Sequence, residues 1–330
     1  MNDVARAVGV SAMTVSNVVN GRPGVGEEVR RRVEAELARS GYRMNVSARN
    51  LRAGRSGVIG LAVPTLDSAY FGHLGTLVTT AAADHGYRVV VEETGAGAER
   101  EMAAIALSRA LDYDGLILSA VRLEVHELGT PPIVLLGERE LHADIDHITL
   151  PNRAGAKAAT ELMLARGCRR IAFVGVDPDE ADDTLRPRLE GYVAALDQAG
   201  IAGDPELIVP SRPLTMAEGR RSAARLRESG ADAAVVVTDE LAIGVLRGLA
   251  DHGLTAPDDI LLAAFDDIPQ GKYTIPSITT VAPDHDWTAR RAVELLVARV
   301  EGERSPGRQE VAPFELVERE STRPGPLTRA

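Results

Sequence analysis

The chain has 330 residues, 45% hydrophobic and 26% charged, which is material for about two globular domains and excludes a disordered chain. No apolar run approaches the roughly 18 residues of a membrane span, and MNDVARAVGV lacks the basic and apolar regions of a signal peptide, so a cytoplasmic protein is expected. One cysteine, Cys168, excludes an intramolecular disulfide and a multi-cysteine metal site. The net charge is −11, yet residues 1–55 carry ten arginines against five acids, which leaves −16 on the remainder. Such asymmetry predicts a nucleic-acid-binding appendage on an acidic body.

In chain order, Val4, Ala5 and Val8 recur at helical spacing and Gly9 stops that helix. Ser11 is placed to cap a second helix with Val15, Val18 and Val19 on its apolar face, ending near Asn20–Gly21. Val29, Val33 and Leu37 mark a third, with Gly41 as its stop. Two short helices joined by a Gly-containing turn are the sequence form of a helix-turn-helix. Ala12, Met13, Thr14, Ser16 and Asn17 stay exposed at the leading end of helix two, where a major-groove reader needs its contacts. Residues 45–52 read as a short helix capped by Asn45.

After Gly57 the pattern becomes apolar runs alternating with amphipathic helices. Strands are predicted at 57–63, 87–92, 115–120 and 132–137, with helices near 70–85 and 98–112. A second series has strands at 170–175, 233–238 and 260–265, with helices near 153–166, 187–200, 216–229 and 240–252. Strands alternating with helices imply doubly wound parallel sheets, and two series imply two subdomains with a ligand cleft beyond the strand ends.

Three stretches, DVARAVGVSAMTVSNVVNG (3–21), VGEEVRRRVEAELARSGYRMN (25–45) and ARNLRAGRSGVIGLAVP (48–64), resemble the LacI/GalR family of bacterial transcriptional repressors. The likeness extends over about nine-tenths of the chain; TDELAIGVLRGLADHGLTAPDDILLAAFDDIPQGKYTIPSITTV (238–281) carries it in the second half. It implies an N-terminal helix-turn-helix headpiece (1–44) and a hinge helix and linker (45–56). An α/β periplasmic-binding-protein-like core of two doubly wound subdomains follows (57–330). The first subdomain is expected at about 57–152 and 283–308, the second at about 153–282 and 309–320, and a tail at 321–330.

The resemblance also implies residue roles. Ala12, Met13 and Asn17 would face base edges; Thr14, Ser16, Asn20, Tyr42 and Asn45 would bond phosphates and fix register. Relatives often carry Arg at the position of Asn17; arginine suits guanine and asparagine adenine, so a different operator preference is expected. Leu51, beside Ala48, corresponds to the leucine that wedges into the minor groove. Arg188 matches the arginine that clamps the effector, and Asp266 is placed to accept hydrogens from sugar hydroxyls. Thr238 stands in the same wall. Tyr70 and Phe71 form the opposite cleft wall, the subunit contact, or helix-core packing. Tyr273, in KYTIPS, and the helix after Tyr70 are the implied dimer interface, and the tail shows no leucine heptads for a tetramer.

The implied partners are a double-stranded DNA operator, a small-molecule effector of carbohydrate type, and a second copy of the chain, with no cofactor and no membrane. Thr238–Asp239 replaces Asn-Asp, Pro151–Asn152 replaces Asp-Asn, Leu214 stands where sugar binders often place an aromatic, Ala264 replaces Gly and Cys168 a common His. These departures keep open a repressor without effector control. An enzyme or binding module with a vestigial headpiece is the reading from another class. HADIDH (142–147) invites a metal, but its residues are read as one loop without a second cluster. DPDEADD (177–183) lacks the glycine and terminal Glu of a calcium loop and reads as a solvated loop. No G-x-S-x-G, P-loop or H-E-x-x-H occurs, so no enzyme is expected.

Overall fold

The structure is a computed structural model that describes residues 2–19, 23–40, 55–123, 131–138, 144–178 and 184–323. The chain divides into two units, Met1–Gly57 and Val58–Ala330.

The first unit contains α1 (Asn2–Val8), α2 (Ala12–Val19) and α3 (Glu27–Arg39). Val4, Ala5, Val8, Val15, Val18 and Val33 bury one another, with Val29 and Leu37 packed against them. The apolar faces read from the sequence thus make one small core, apart from Val19, whose side chain lies outside what the structure describes. Gly9 takes φ +72°, a left-handed turn that closes α1, and Val10 N–H donates to Ala5 O at 3.0 Å. The Ser11 hydroxyl accepts from Thr14 N–H at 3.0 Å and caps α2. Arg32 of α3 donates to Val8 O at 2.5 Å, tying α3 to the end of α1. The ends read at Asn20–Gly21 and Gly41, and the whole 45–52 helix, lie outside the described residues.

The second unit begins with β1 (Val58–Val63), α4 (Ala69–Asp84), β2 (Arg88–Glu93), α5 (Ala98–Ala110), β3 (Gly115–Ser119), β4 (Ile133–Leu136) and β5 (Asp146–Thr149). Then come α6 (Asn152–Ala165), β6 (Ile171–Val174), α7 (Arg186–Gln198), β7 (Ile208–Val209), α8 (Met216–Ser229), β8 (Ala233–Val236), α9 (Asp239–Asp251), β9 (Leu261–Phe265) and β10 (Thr279–Pro283). The chain closes with α10 (His285–Val300), β11 (Gln309–Val311) and β12 (Phe314–Val317). One sheet has the order β11-β5-β4-β3-β1-β2, all parallel; the other is β12-β10-β9-β8-β6-β7, parallel except for β12 on β10.

Central strands β3, β4, β8 and β9 are buried along their whole length, which is why they read as unbroken apolar runs and not as alternations. Three helices start on side-chain caps: Thr215 accepts from Glu218 N–H, Thr238 from Leu241 N–H and Asp284 from Trp287 N–H. Arg188 lies two residues into α7, just after Pro187.

Two expectations change. The return to the second subdomain, expected at about 309, falls later, because β11 pairs with β5 in the first sheet (Gln309 opposite His147) while β12 joins the second. Asp146 sets this register: it accepts from Arg308 N–H at 2.9 Å and holds Arg299 of α10 through two bonds. The HADIDH segment is not one loop, since Asp146 and His147 belong to β5 and are buried. The His147 ring is engaged by Gly137 O at 2.7 Å and Gln309 Oε1 at 3.2 Å. Among the described residues no group of three potential ligands could hold a metal ion.

Candidate functional site

In the first unit, Ala12 and Met13 are exposed on α2, Met13 to 69%, while Thr14, Ser16 and Asn17 are half-buried. The Thr14 hydroxyl lies 2.9 Å from that of Ser11. The headpiece core accounts for Val15 and Val18, so α2 presents a face of small, apolar or amide side chains that the core does not use. Asn20, Tyr42, Asn45, Ala48 and Leu51 lie outside the described residues.

In the second unit, the carboxyl ends of strands from both sheets border a cavity of about 630 Å³, a usual size for a small-molecule pocket. Tyr70, Phe71, Arg188, Leu214, Thr238 and Asp266 all line it. The sequence left the setting of Tyr70 and Phe71 open; both face the cavity and both also pack on the core of the first sheet. Their rings meet edge to face at 4.9 Å, and Tyr70 meets His285 at 5.4 Å.

Arg188 is the buried centre of this wall, 3% exposed. Its Nε donates to Asn152 Oδ1 at 2.5 Å, its Nη1 to Val237 O, and its Nη2 lies 3.6 Å from Asp266 Oδ1. Burial pushes the Asp266 carboxyl above its ordinary range, against the opposing pull of Arg188 and His285. Burial, with Asp266 nearby, pushes the Tyr70 phenol far up as well.

Asp266 has φ +102° and Asp267 φ +48°, a left-handed pair directly after β9. Several bonds hold this strained turn. Asp266 N–H donates to Val281 O at 3.0 Å, and Ile268 N–H to Asp239 Oδ2 at 3.0 Å. The Thr280 hydroxyl donates to Asp239 Oδ1 at 2.7 Å. Asp239 is fully buried, and desolvation, then Asp266, holds its carboxyl well above the usual range despite those bonds. It acts through the turn that carries Asp266. Thr238 borders the cavity while its oxygen caps α9.

Glu138 lines the cavity and was missed in the sequence. It accepts from Leu150 N–H at 2.8 Å, and burial pushes its carboxyl up, with Leu150, Asn152 and Arg188 acting the other way. Its signal was available: like Asp266, it follows an apolar strand run closely, at the carboxyl end where ligands bind. Asn152, noted only as a departure, is the partner of Arg188. Tyr273 is 85% exposed beside Ile275 at 96%, an apolar pair in open solvent.

Residues 1–45 match the family described as bacterial regulatory proteins, lacI family, and residues 160–322 match a periplasmic binding protein-like domain. The ribose operon repressor of Halalkalibacterium halodurans is 30% identical over 98% of this chain and 97% of its own length. The structure of a LacI-family transcriptional regulator from Sanguibacter keddieii is 40% identical, with TM-score 0.76, over 82% of this chain and 99% of that one. A lac repressor dimer bound to operator and the anti-inducer ONPF gives TM-score 0.82 at 25% identity, covering 97% of this chain and 98% of its own.

Proposed function

The chain belongs to the LacI family of bacterial regulatory proteins, and we propose that it is a repressor that binds a two-fold symmetric operator as a homodimer and releases it when a small polar effector fills the cleft. The observation that carries the DNA-binding half is the α2 face: Ala12, Met13 and Asn17 stand outside the headpiece core at the end of a helix-turn-helix that enters a major groove. Thr14 and Ser16 take phosphates, as do Asn20, Tyr42 and Asn45, while Ala48 and Leu51 serve the minor groove. A headpiece core of six buried side chains gives little surface for tight binding alone, so two copies on two half-sites follow. The dimeric, operator-bound state of the lac repressor relative supports this.

The effector half rests on Arg188 and Asp266, a buried cation and carboxylate at a cavity of ligand size. Tyr70 and Phe71 form the facing wall, with Thr238 beside Asp266. The name of the ribose operon repressor supports a carbohydrate as the ligand type. Tyr273 and Ile275 form part of the contact between copies. No catalytic role is assigned, and the site of action is the cytoplasm, where the DNA is. An electrophoretic shift with palindromic and scrambled duplexes, with and without candidate effectors, tests the reading; turnover of a cleft ligand without any DNA binding would overturn it.

A further inference from the structure

The effector cleft is unbalanced in charge. Among the described residues its lining carries five carboxylates, Asp67, Glu93, Glu138, Glu240 and Asp266. Against them, among the same described residues, stand two cations, Arg188 and Arg212. Arg188 is already committed: Asn152, the carbonyl of Val237 and Asp266 surround its guanidinium, and the ring of Phe265 lies beneath it. We infer that the cleft selects an uncharged or amine-bearing polyol and excludes phosphorylated and acidic ones, with Glu138 and Glu240 as the charge filter. This deepens the effector reading above and rests on it.

Three features carry the inference. The acids come from both subdomains, Glu138 from the end of β4, Asp266 from the end of β9 and Glu240 from the first turn of α9, so a ligand in the cavity meets them on opposite sides. Asp266 is buried and Glu138 and Glu240 are half-buried, and a dielectric below that of bulk water strengthens repulsion of an anion as much as attraction of a cation. The carboxyls of Glu138, Glu240 and Asp266 are also all held above their ordinary range, mainly by burial. For Glu240, Asp67 and Asp266 add to the rise. A site with spare positive charge would pull them the other way. An incoming phosphate meets ionised carboxylates or must force protons onto them, whereas a hydroxyl donates to them and an ammonium restores the balance.

Isothermal titration on the full-length protein without DNA, at neutral pH, tests this with matched probes: ribose and ribose 5-phosphate, and glucose, glucosamine, glucose 6-phosphate and glucuronate. In each set the neutral or amine member is expected to bind at least tenfold more tightly than its phosphorylated or acidic counterpart. Glu138→Gln with Glu240→Gln should shrink that ratio to about threefold or less. Glu240→Gln alone, at a half-buried position, should shrink it in the same direction if the double variant does not fold. Phosphorylated probes that bind as tightly as neutral ones, or a ratio unchanged in the variants, overturn the charge filter and leave the effector cleft standing. Failure of every probe to bind overturns both.

Discussion

The guanidinium carbon of Arg188 lies 4.3 Å from the centroid of the Phe265 ring, one residue before the carboxylate it faces. The cation is therefore held by a flat aromatic surface, an amide oxygen, a backbone carbonyl and Asp266 at once. Arg188→Ala strands Asp266 and the Asn152 oxygen in a buried site, and breaking a buried pair from one side costs about 3–5 kcal/mol. A fall in Tm on the order of 10 °C is expected, with loss of effector response and retained operator binding. Arg188→Lys should fail likewise, since an ammonium reproduces neither the stacking nor the fork. A variant that melts like wild type and still responds to effector would remove Arg188 from the site.

Glycines set the closest helix approaches in the second subdomain. A Cβ on Gly219 of α8 would lie 2.0 Å from Leu241 O of α9, and one on Gly244 of α9 would lie 2.0 Å from Met216 O of α8. Neither backbone oxygen can rotate away. Gly219→Ala and Gly244→Ala should each destabilise by about 3 kcal/mol, the upper end of overpacking penalties, as measured by urea unfolding of the folded dimer. Unchanged midpoints would show that these helices move apart freely.

Asp239 is fully buried with a raised carboxyl pKa, so its contribution to stability is present below the ordinary aspartate range and is lost as pH rises through the folded value. Asparagine has the same shape: its oxygen can accept from Ile268 N–H while its amide donates to the Thr280 oxygen. Asp239→Asn should therefore gain in Tm relative to wild type as pH rises from 4 to 8. An advantage greatest at pH 4 would contradict the assignment.

Tyr273 and Ile275 expose 85% and 96% of their surfaces. Tyr273→Asp with Ile275→Asp is expected to leave the monomer fold intact and shift sedimentation at micromolar concentration to a single-copy species. Operator affinity should fall with it, because the two half-sites are then engaged one at a time. A double variant that sediments as a dimer would place the contact elsewhere.

The sequence revealed most of what rests on local periodicity. The headpiece valines, the buried strand runs and the helices from 153 to 252 appear within one or two residues of where their spacing puts them. Short strands escaped it: β5 is hidden inside an acid- and His-rich stretch, because Asp146 and His147 are buried by partners, Arg299 and Gln309, more than 150 residues away. The strand crossing after β11 escaped for the same reason. In the cleft, Arg188 and Asp266 were legible through resemblance, whereas Glu138 required knowing that β4 ends at the same cavity as β9. Asp239 carries no pattern that distinguishes a helix-start acid from the support of a strained turn.

Within α2, Asn17→Ala should change which operators are preferred, since a base-edge contact is worth about 1–3 kcal/mol of discrimination. Ser16→Ala should weaken all operators alike, because a phosphate contact carries no sequence information. Uniform loss with Asn17→Ala would make it a backbone contact.

The central claim, a dimer reading a two-fold operator through α2, is tested most directly by selecting bound duplexes from a randomised pool with the full-length protein. The enriched sequences should be inverted repeats whose half-sites change when Asn17 is replaced and whose affinity falls steeply with salt. Enrichment of asymmetric sequences, or none above the starting pool, would contradict it.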